Sequence, residues 1–130
     1  MKKIDCILLV DDHPTTNFLN EELIEDMGIA EKTVVAWNGQ EALDYITNKK
    51  NIKPNIIFID INMPVMGGFE FLSEFKKLSS TKRKGIDIVF LTTSDAQIDR
   101  QKIAQEKLVT AFLEKPLRKK KLLDILLPLL

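Results

Sequence analysis

Apolar residues along this chain fall into two alternating patterns. Nearly unbroken apolar runs of strand length recur at 6–10, 33–36, 56–59, 86–91 and 110–113, and the stretches between them place apolar residues at helical spacing. Runs that do not alternate suit strands buried on both faces of a parallel sheet. The first intervening helix is predicted to open at Pro14, pass through Leu19, Leu23 and Ile24, and stop at Gly28. The second opens near Asn38-Gly39 with Ala42, Leu43 and Ile46 on its apolar stripe. The third follows Gly67-Gly68 with Phe71, Leu72 and Phe75, the fourth covers 96–107, and the fifth covers 117–127, ending near Pro128.

Five strands alternating with five helices predict an α/β fold, (βα)5, whose right-handed crossovers wind helices onto both faces of an open parallel sheet. The natural five-strand solution is the flavodoxin-like order 2-1-3-4-5. The sequence shows no repeat, low-complexity tract or linker, so a single domain is expected to occupy residues 1–130.

Composition narrows the class. At 45% hydrophobic and 29% charged residues, with a mean hydropathy of -0.06, the chain is neither a disordered tail nor a membrane span. Nineteen basic and nineteen acidic side chains cancel, so no global charge directs it to nucleic acid or anionic lipid. The cancellation hides a gradient: residues 1–65 carry 6 basic and 11 acidic side chains, and the remainder carries 13 and 8. Cys6 is single and lies in an apolar run, which reads as a buried thiol. The apolar stretch after Lys2-Lys3 is too short for a signal peptide, and with no disulfide framework a cytoplasmic location is expected.

In an open parallel sheet the working site lies beyond the carboxyl ends of the strands. Strand one ends in Asp11-Asp12, strand three in Asp60, strand four in Thr92-Thr93, and strand five in Glu114-Lys115 before Pro116. Each piece alone is a common turn or cap; independent caps have no reason to share that placement. Converging carboxylates repel and raise one another's pKa, so a divalent cation and Lys115 are the expected compensation. Hard oxygen ligands favour Mg²⁺ over zinc.

The segments Leu9-Val10-Asp11-Asp12, Asp60-Ile61-Asn62-Met63-Pro64-Val65-Met66-Gly67-Gly68, Leu91-Thr92-Thr93 and Lys115-Pro116 together resemble the receiver domain of two-component response regulators. The resemblance spans essentially the whole chain and implies a stand-alone, chemotaxis-regulator-like receiver. It implies that Asp60 accepts a phosphoryl group from a phosphohistidine of a sensor histidine kinase or phosphotransfer protein. By the same resemblance Asp12 and Asp60 ligate Mg²⁺, the Asn62 carbonyl adds a ligand, Asp11 acts mainly through water, and Thr92 and Lys115 bind phosphoryl oxygens. These roles fit the chemistry, because phosphoryl transfer spreads charge over equatorial oxygens and is served by positioning and electrostatics. The family also has a cis peptide at the position of Lys115-Pro116, which the sequence permits.

Phe112 occupies the family's aromatic switch position, coupled to Thr92; lacking a hydroxyl, it would rotate inward on packing alone, and a plain core role competes evenly. Met63 and Met66 read as loop packing. Thr93 is bulkier than the usual small residue there. With Asn62 and Ser94 flanking the site and no extra acid to orient water, modest self-dephosphorylation is expected. His13 reads as a surface residue at a helix start, and Trp37 as a shield for the sheet edge. The Arg118-Lys119-Lys120-Lys121 cluster reads as a solvated face, with docking of an acidic partner as the alternative. Helix five carries an inward stripe, Leu122, Ile125, Leu126 and Leu129, and a second, Leu123, Leu127 and Leu130. The second stripe suggests an interface on the face made by the fourth helix, fifth strand and fifth helix, either with a downstream target protein or in a homodimer.

The rival from the enzyme class is a haloacid dehalogenase-type phosphatase, which also uses an aspartate, Mg²⁺, a hydroxyl and a lysine. It wants a second acid two positions after the nucleophile, where this chain has Asn62. An unphosphorylated scaffold is disfavoured by the complete set of site residues, and Asp11-Asp12-His13-Pro14 leaves no glycine-rich loop for a dinucleotide.

Overall fold

The computed structural model describes residues 3–92, 101, 102 and 104–130. Five parallel strands, β1 (Ile4–Val10), β2 (Ala30–Ala36), β3 (Ile56–Asp60), β4 (Asp87–Thr92) and β5 (Val109–Glu114), form one sheet in the order β2-β1-β3-β4-β5. The strand order expected from the alternating pattern is therefore present. Most strands run one to three residues beyond the apolar runs, because backbone pairing continues into flanking residues whatever their polarity, as at Asp60 and Thr92. The central strands are buried almost throughout, whereas edge strands β2 and β5 keep exposed positions.

Helices α1 (Pro14–Met27), α2 (Gly39–Thr47) and α3 (Gly68–Lys76) begin where the proline and glycine signals place them. α1 ends at Gly28 in the left-handed region, φ 63°, whose N–H caps the carbonyls of Ile24 and Glu25. α2 is capped by Asn38, whose side chain accepts from the Glu41 N–H, while the Glu41 carboxylate accepts from the Trp37 N–H. A single helical turn, α4 (Ser80–Arg83), was not expected; Ser79 caps it by accepting from the Lys82 N–H. Most of the predicted fourth helix lies outside the described residues, although 101, 102 and 104 are helical. The C-terminal helix α5 (Lys119–Leu126) starts two residues later than expected, and Pro128 sits within a closing 3-10 turn, Leu127–Leu129.

Two hydrophobic cores cover the two faces of the sheet. On one, α2 and α3 bring Leu43, Phe71, Leu72 and Phe75 onto Leu8, Ile57, Ile59 and Phe90. On the other, α1 and α5 bring Ile24, Leu122 and Leu126 onto Ile7, Leu9, Phe58 and Val89.

Several apolar expectations need correction. Leu19 is 56% exposed, and the buried positions of α1 are Asn17, Asn20 and Ile24, because the helix turns a partly polar stripe inward. The second stripe of α5 is not one open face: Leu130 packs against the core with Ile125 and Leu129, and only Leu127 of that stripe is exposed. Trp37 is 43% exposed just beyond β2 and belongs to neither core. Cys6 is fully buried, as expected, with its Sγ 3.7 Å from the Tyr45 hydroxyl.

Candidate functional site

The carboxyl ends of β1, β3, β4 and β5 bring Asp11, Asp60, Thr92 and Lys115 to one place. Asp11 extends β1 through an N–H bond to the Ala36 carbonyl, and its own carbonyl accepts from the buried Asn17 side chain at 2.8 Å. Asn17 therefore ties the start of α1 to the acidic loop, a role with no sequence signal beyond its position on the helix. Asp60 is the last residue of β3. The N–H of Lys115 donates to the Thr92 carbonyl at 2.8 Å, which fixes the β5 end against the β4 end. Lys115-Pro116 is a cis peptide.

The loop after Asp60 is closed by glycines. The Gly68 N–H donates to the Ile61 carbonyl, and a Cβ on Gly67 would lie 2.7 Å from that same oxygen. Gly39, at the start of α2, donates to the Met66 carbonyl, and a Cβ there would lie 2.8 Å from the Met66 side chain. Met63 and Met66 pack against the α2/α3 core, as expected for loop packing. Val65 has a positive φ of 69° and is 77% exposed.

The electrostatics centre on Lys115. Its ammonium lies 2.7 Å from Asp11 Oδ2 and 3.2 Å from Asp60 Oδ2, so it bridges both carboxylates rather than standing beside Asp60 alone. Burial pushes the Asp60 carboxyl above its ordinary value and the Asp11 charge adds to the rise; Lys115 and the Asn62 N–H offset this only in part. Burial acts to lower the Lys115 pKa, but its hydrogen bond to Asp11 and the charges of Asp60 and Asp11 outweigh it, leaving the ammonium above its usual range.

Asp11, Asp12, His13 and Asp60 each offer a ligand atom, and these atoms lie within 4.8 Å of one another. The Asp12 Oδ1 atom is buried and has no hydrogen-bond partner among the described residues, which fits a group whose remaining bond is to a cation. An all-oxygen set from three aspartates suits Mg²⁺. His13 is correctly expected at the surface, yet its Nδ1 lies 3.1 Å from Asp11 Oδ1 and 3.4 Å from Asp12 Oδ1. Its adjacency to Asp11-Asp12 was the signal for that contact.

Asn62 is exposed and reaches Asp60 through its N–H. Thr92 is buried at the end of β4, and Phe112, paired with Phe90 across β4 and β5, is 37% exposed and outside both cores. That exposure removes the plain core reading of Phe112. Thr93 and Ser94 lie outside the described residues. Arg118, Lys119, Lys120 and Lys121 are all exposed.

Residues 7–127 match the response regulator receiver domain, and the chain belongs to that family. Receiver domains are phosphoacceptor signalling domains rather than conventional enzymes, and they interact with histidine kinases or phosphotransfer proteins. The chain is similar to the chemotaxis protein CheY of Halobacterium salinarum, 33% identical over 119 residues that cover 91% of this chain and 90% of that one. It is 31% identical to response regulator Rcp1 of Synechocystis over 97 residues, 72% of this chain and 65% of the relative. Against sensor histidine kinase CheAY of Helicobacter pylori it is 31% identical over 110 residues, 85% of this chain but 13% of that protein. The chain thus spans less than two thirds of the length of the latter two relatives. Among solved structures, a two-component response regulator from Cytophaga hutchinsonii superposes with a TM-score of 0.88 at 29% identity, covering 98% of this chain and 97% of that one. CheY4 of Vibrio cholerae superposes with a TM-score of 0.74 at 28% identity, covering 98% and 100%. Among the described residues no helix is long and apolar enough to cross a membrane.

Proposed function

We propose that residues 1–130 act as one receiver unit in which Asp60 accepts a phosphoryl group from a sensor histidine kinase or phosphotransfer protein, and that the phosphorylated form signals by binding a downstream protein. The observation that carries this reading is the bridge from Lys115 to both Asp11 and Asp60, beside an Asp12 oxygen with no hydrogen-bond partner among the described residues.

Asp12 and Asp60, with Asp11 and the Asn62 carbonyl, would hold Mg²⁺, which supplies charge neutralisation for the incoming phosphoryl oxygens. The chain's own groups do the rest. Asp60 presents the attacking oxygen, and its carboxylate is destabilised by burial, which favours the form that has passed its charge outward. The Lys115 ammonium, already bonded to Asp11, is positioned to follow charge onto the transferred group. Thr92, at the adjacent strand end, supplies the hydroxyl that would contact that group and couple it to Phe112. With no acid at Asn62 to orient an attacking water, loss of the phosphoryl group is slow. The face made by β5, α5 and the helix preceding β5 is the proposed output surface, for a target protein or a homodimer.

The test is intact-mass analysis after incubation with Mg²⁺ and acetyl phosphate. Wild type is expected to gain one phosphoryl group and Asp60→Asn none. Turnover of a general phosphomonoester would instead support the phosphatase reading, and a phosphoryl half-life of only seconds would overturn the slow-loss assignment.

A further inference from the structure

The acceptor site occupies the carboxyl end of the sheet, and the opposite end carries a second organised surface. Two cavities flank the α4 turn there and share Thr81. The first, about 520 Å³, has a floor of Phe75, Ile86 and Leu108 and a rim that includes Arg83 and Lys84. The second, about 420 Å³, lies against Tyr45 and Ile46 beneath Lys49, Lys53 and Lys82. No acidic residue lines either cavity among the described residues. Their volumes are in the range of sites that bury a ligand group.

The cations divide into two kinds. Lys53 Nζ donates to the Thr81 carbonyl at 2.8 Å and Arg83 Nε to the Leu78 carbonyl at 3.0 Å, so these two are held in place and brace α4. Lys49, Lys50, Lys82 and Lys84 enter no ion pair among the described residues. Of the nearby acids, Glu74 pairs with Lys77 and Glu106 with Lys76, while Asp87 accepts from the Thr110 hydroxyl and lines neither cavity. A row of cations without acids above apolar floors lacks a counterpart of opposite charge that also carries apolar side chains.

We infer that this end of the molecule docks an acidic polypeptide segment, whose carboxylates meet the lysine rim and whose two apolar side chains enter the cavities on either side of α4. The shape of the surface selects a narrow occupant. α1, on the other face of the sheet, runs down to the same end and carries Glu21, Glu22, Glu25 and Asp26 with no basic residue. The acids of that helix lower the net positive charge this end offers to a broad anionic body such as duplex DNA or a lipid surface, whereas a single extended segment needs only the lysine rim. The cavities also accept side chains rather than stacked bases: Tyr45 is half-buried and its hydroxyl is committed to the Ile52 carbonyl. Because the surface is remote from Asp60, binding does not require phosphorylation, and it would hold the receiver near a partner before the signal arrives.

The test titrates the full ¹⁵N-labelled chain with a short synthetic peptide of glutamates bearing two leucines. The expected result is saturable shifts at Tyr45, Lys53, Thr81, Lys82 and Leu108, with affinity falling at least about tenfold between about 50 mM and about 500 mM salt. The double variant Lys49→Glu/Lys82→Glu, which leaves the Lys53 bond to α4 in place, should lose binding by a similar factor while taking up a phosphoryl group on Asp60 as wild type does, which separates this surface from the acceptor chemistry and reports that the variant folds. The proposal is overturned by an absence of saturable shifts at millimolar peptide, by shifts confined to α1 or the acceptor loop, by unchanged affinity in the folded double variant, or by equal or tighter binding of duplex DNA or anionic vesicles.

Discussion

At the scale of single residues, the acceptor carboxylate works against the fold that holds it. Burial raises the Asp60 pKa, so its contribution to stability is present at pH below the unfolded value, near 3.8, and is lost as pH rises through the folded value. At neutral pH the metal-free protein should therefore gain stability in Asp60→Asn, seen as a higher Tm, and the gain should vanish as pH falls below that of a free carboxylate. Mg²⁺ should narrow the difference by stabilising wild type more. A variant less stable than wild type at pH 7 without metal would contradict this. Val65 is the other strained position: a β-branched side chain at φ 69° costs about 1–2 kcal/mol, a conformation that asparagine tolerates better. Val65→Asn should raise stability in urea by about 1 kcal/mol, since the 77% exposed side chain contributes little packing to lose. These two residues show where sequence reading reaches and stops. The carboxylates were legible because strand ends in this topology converge, whereas the φ at Val65, the Asn17 bond and the Lys115 bridge to Asp11 depend on backbone paths that no local pattern encodes.

At the scale of elements, α2 and the acceptor loop are joined through Gly39. A methyl there would press on the Met66 side chain and carbonyl at 2.8 and 2.9 Å, so Gly39→Ala should move the loop that follows Asp60. The expected result is phosphoryl uptake slowed several-fold with a stability loss of about 1–3 kcal/mol, the range for overpacking; wild-type uptake would show that the loop is independent of α2. The junction of α5 and the closing 3-10 turn offers a contrast between adjacent residues. Leu126 is fully buried, and Leu126→Ala should cost about 2–5 kcal/mol in chemical denaturation, whereas Leu127→Ala, at 56% exposure, should stay within about 0.5 kcal/mol. Helix existence and starts were readable from Pro14, Asn38-Gly39 and Gly67-Gly68, which act locally. The inward face of α1 was not, because its buried positions include Asn17, held by its bond to the Asp11 carbonyl, and Asn20, neither of which a hydrophobic pattern marks, and α4 is too short to leave a periodic trace.

At the scale of the molecule, the two cores share the same central strands. Ile7, Leu9 and Phe58 point to one side of the sheet, and Leu8, Ile57 and Ile59 to the other. Neither helix layer can leave without exposing strands that support the other, so denaturation should be a single transition. Fluorescence of Trp37, the one tryptophan, and far-ultraviolet circular dichroism should give the same midpoint; separated midpoints would show that the layers unfold independently. The strand order followed from the alternation of runs because a βα repeat leaves few ways to bury both faces. The separation of the acids of α1 from the lysines of the rim was not visible in the charge balance of the two halves, because Lys49, Lys50 and Lys53 share the acidic half with α1. The outer border of the sheet has a consequence for the protein in concentrated solution. Along β2 the exposed Glu31 and Lys32 place opposite charges on a row of backbone groups that would otherwise invite another strand, and a second chain adding there would have to strip water from both. That charged border opposes edge-to-edge pairing along β2.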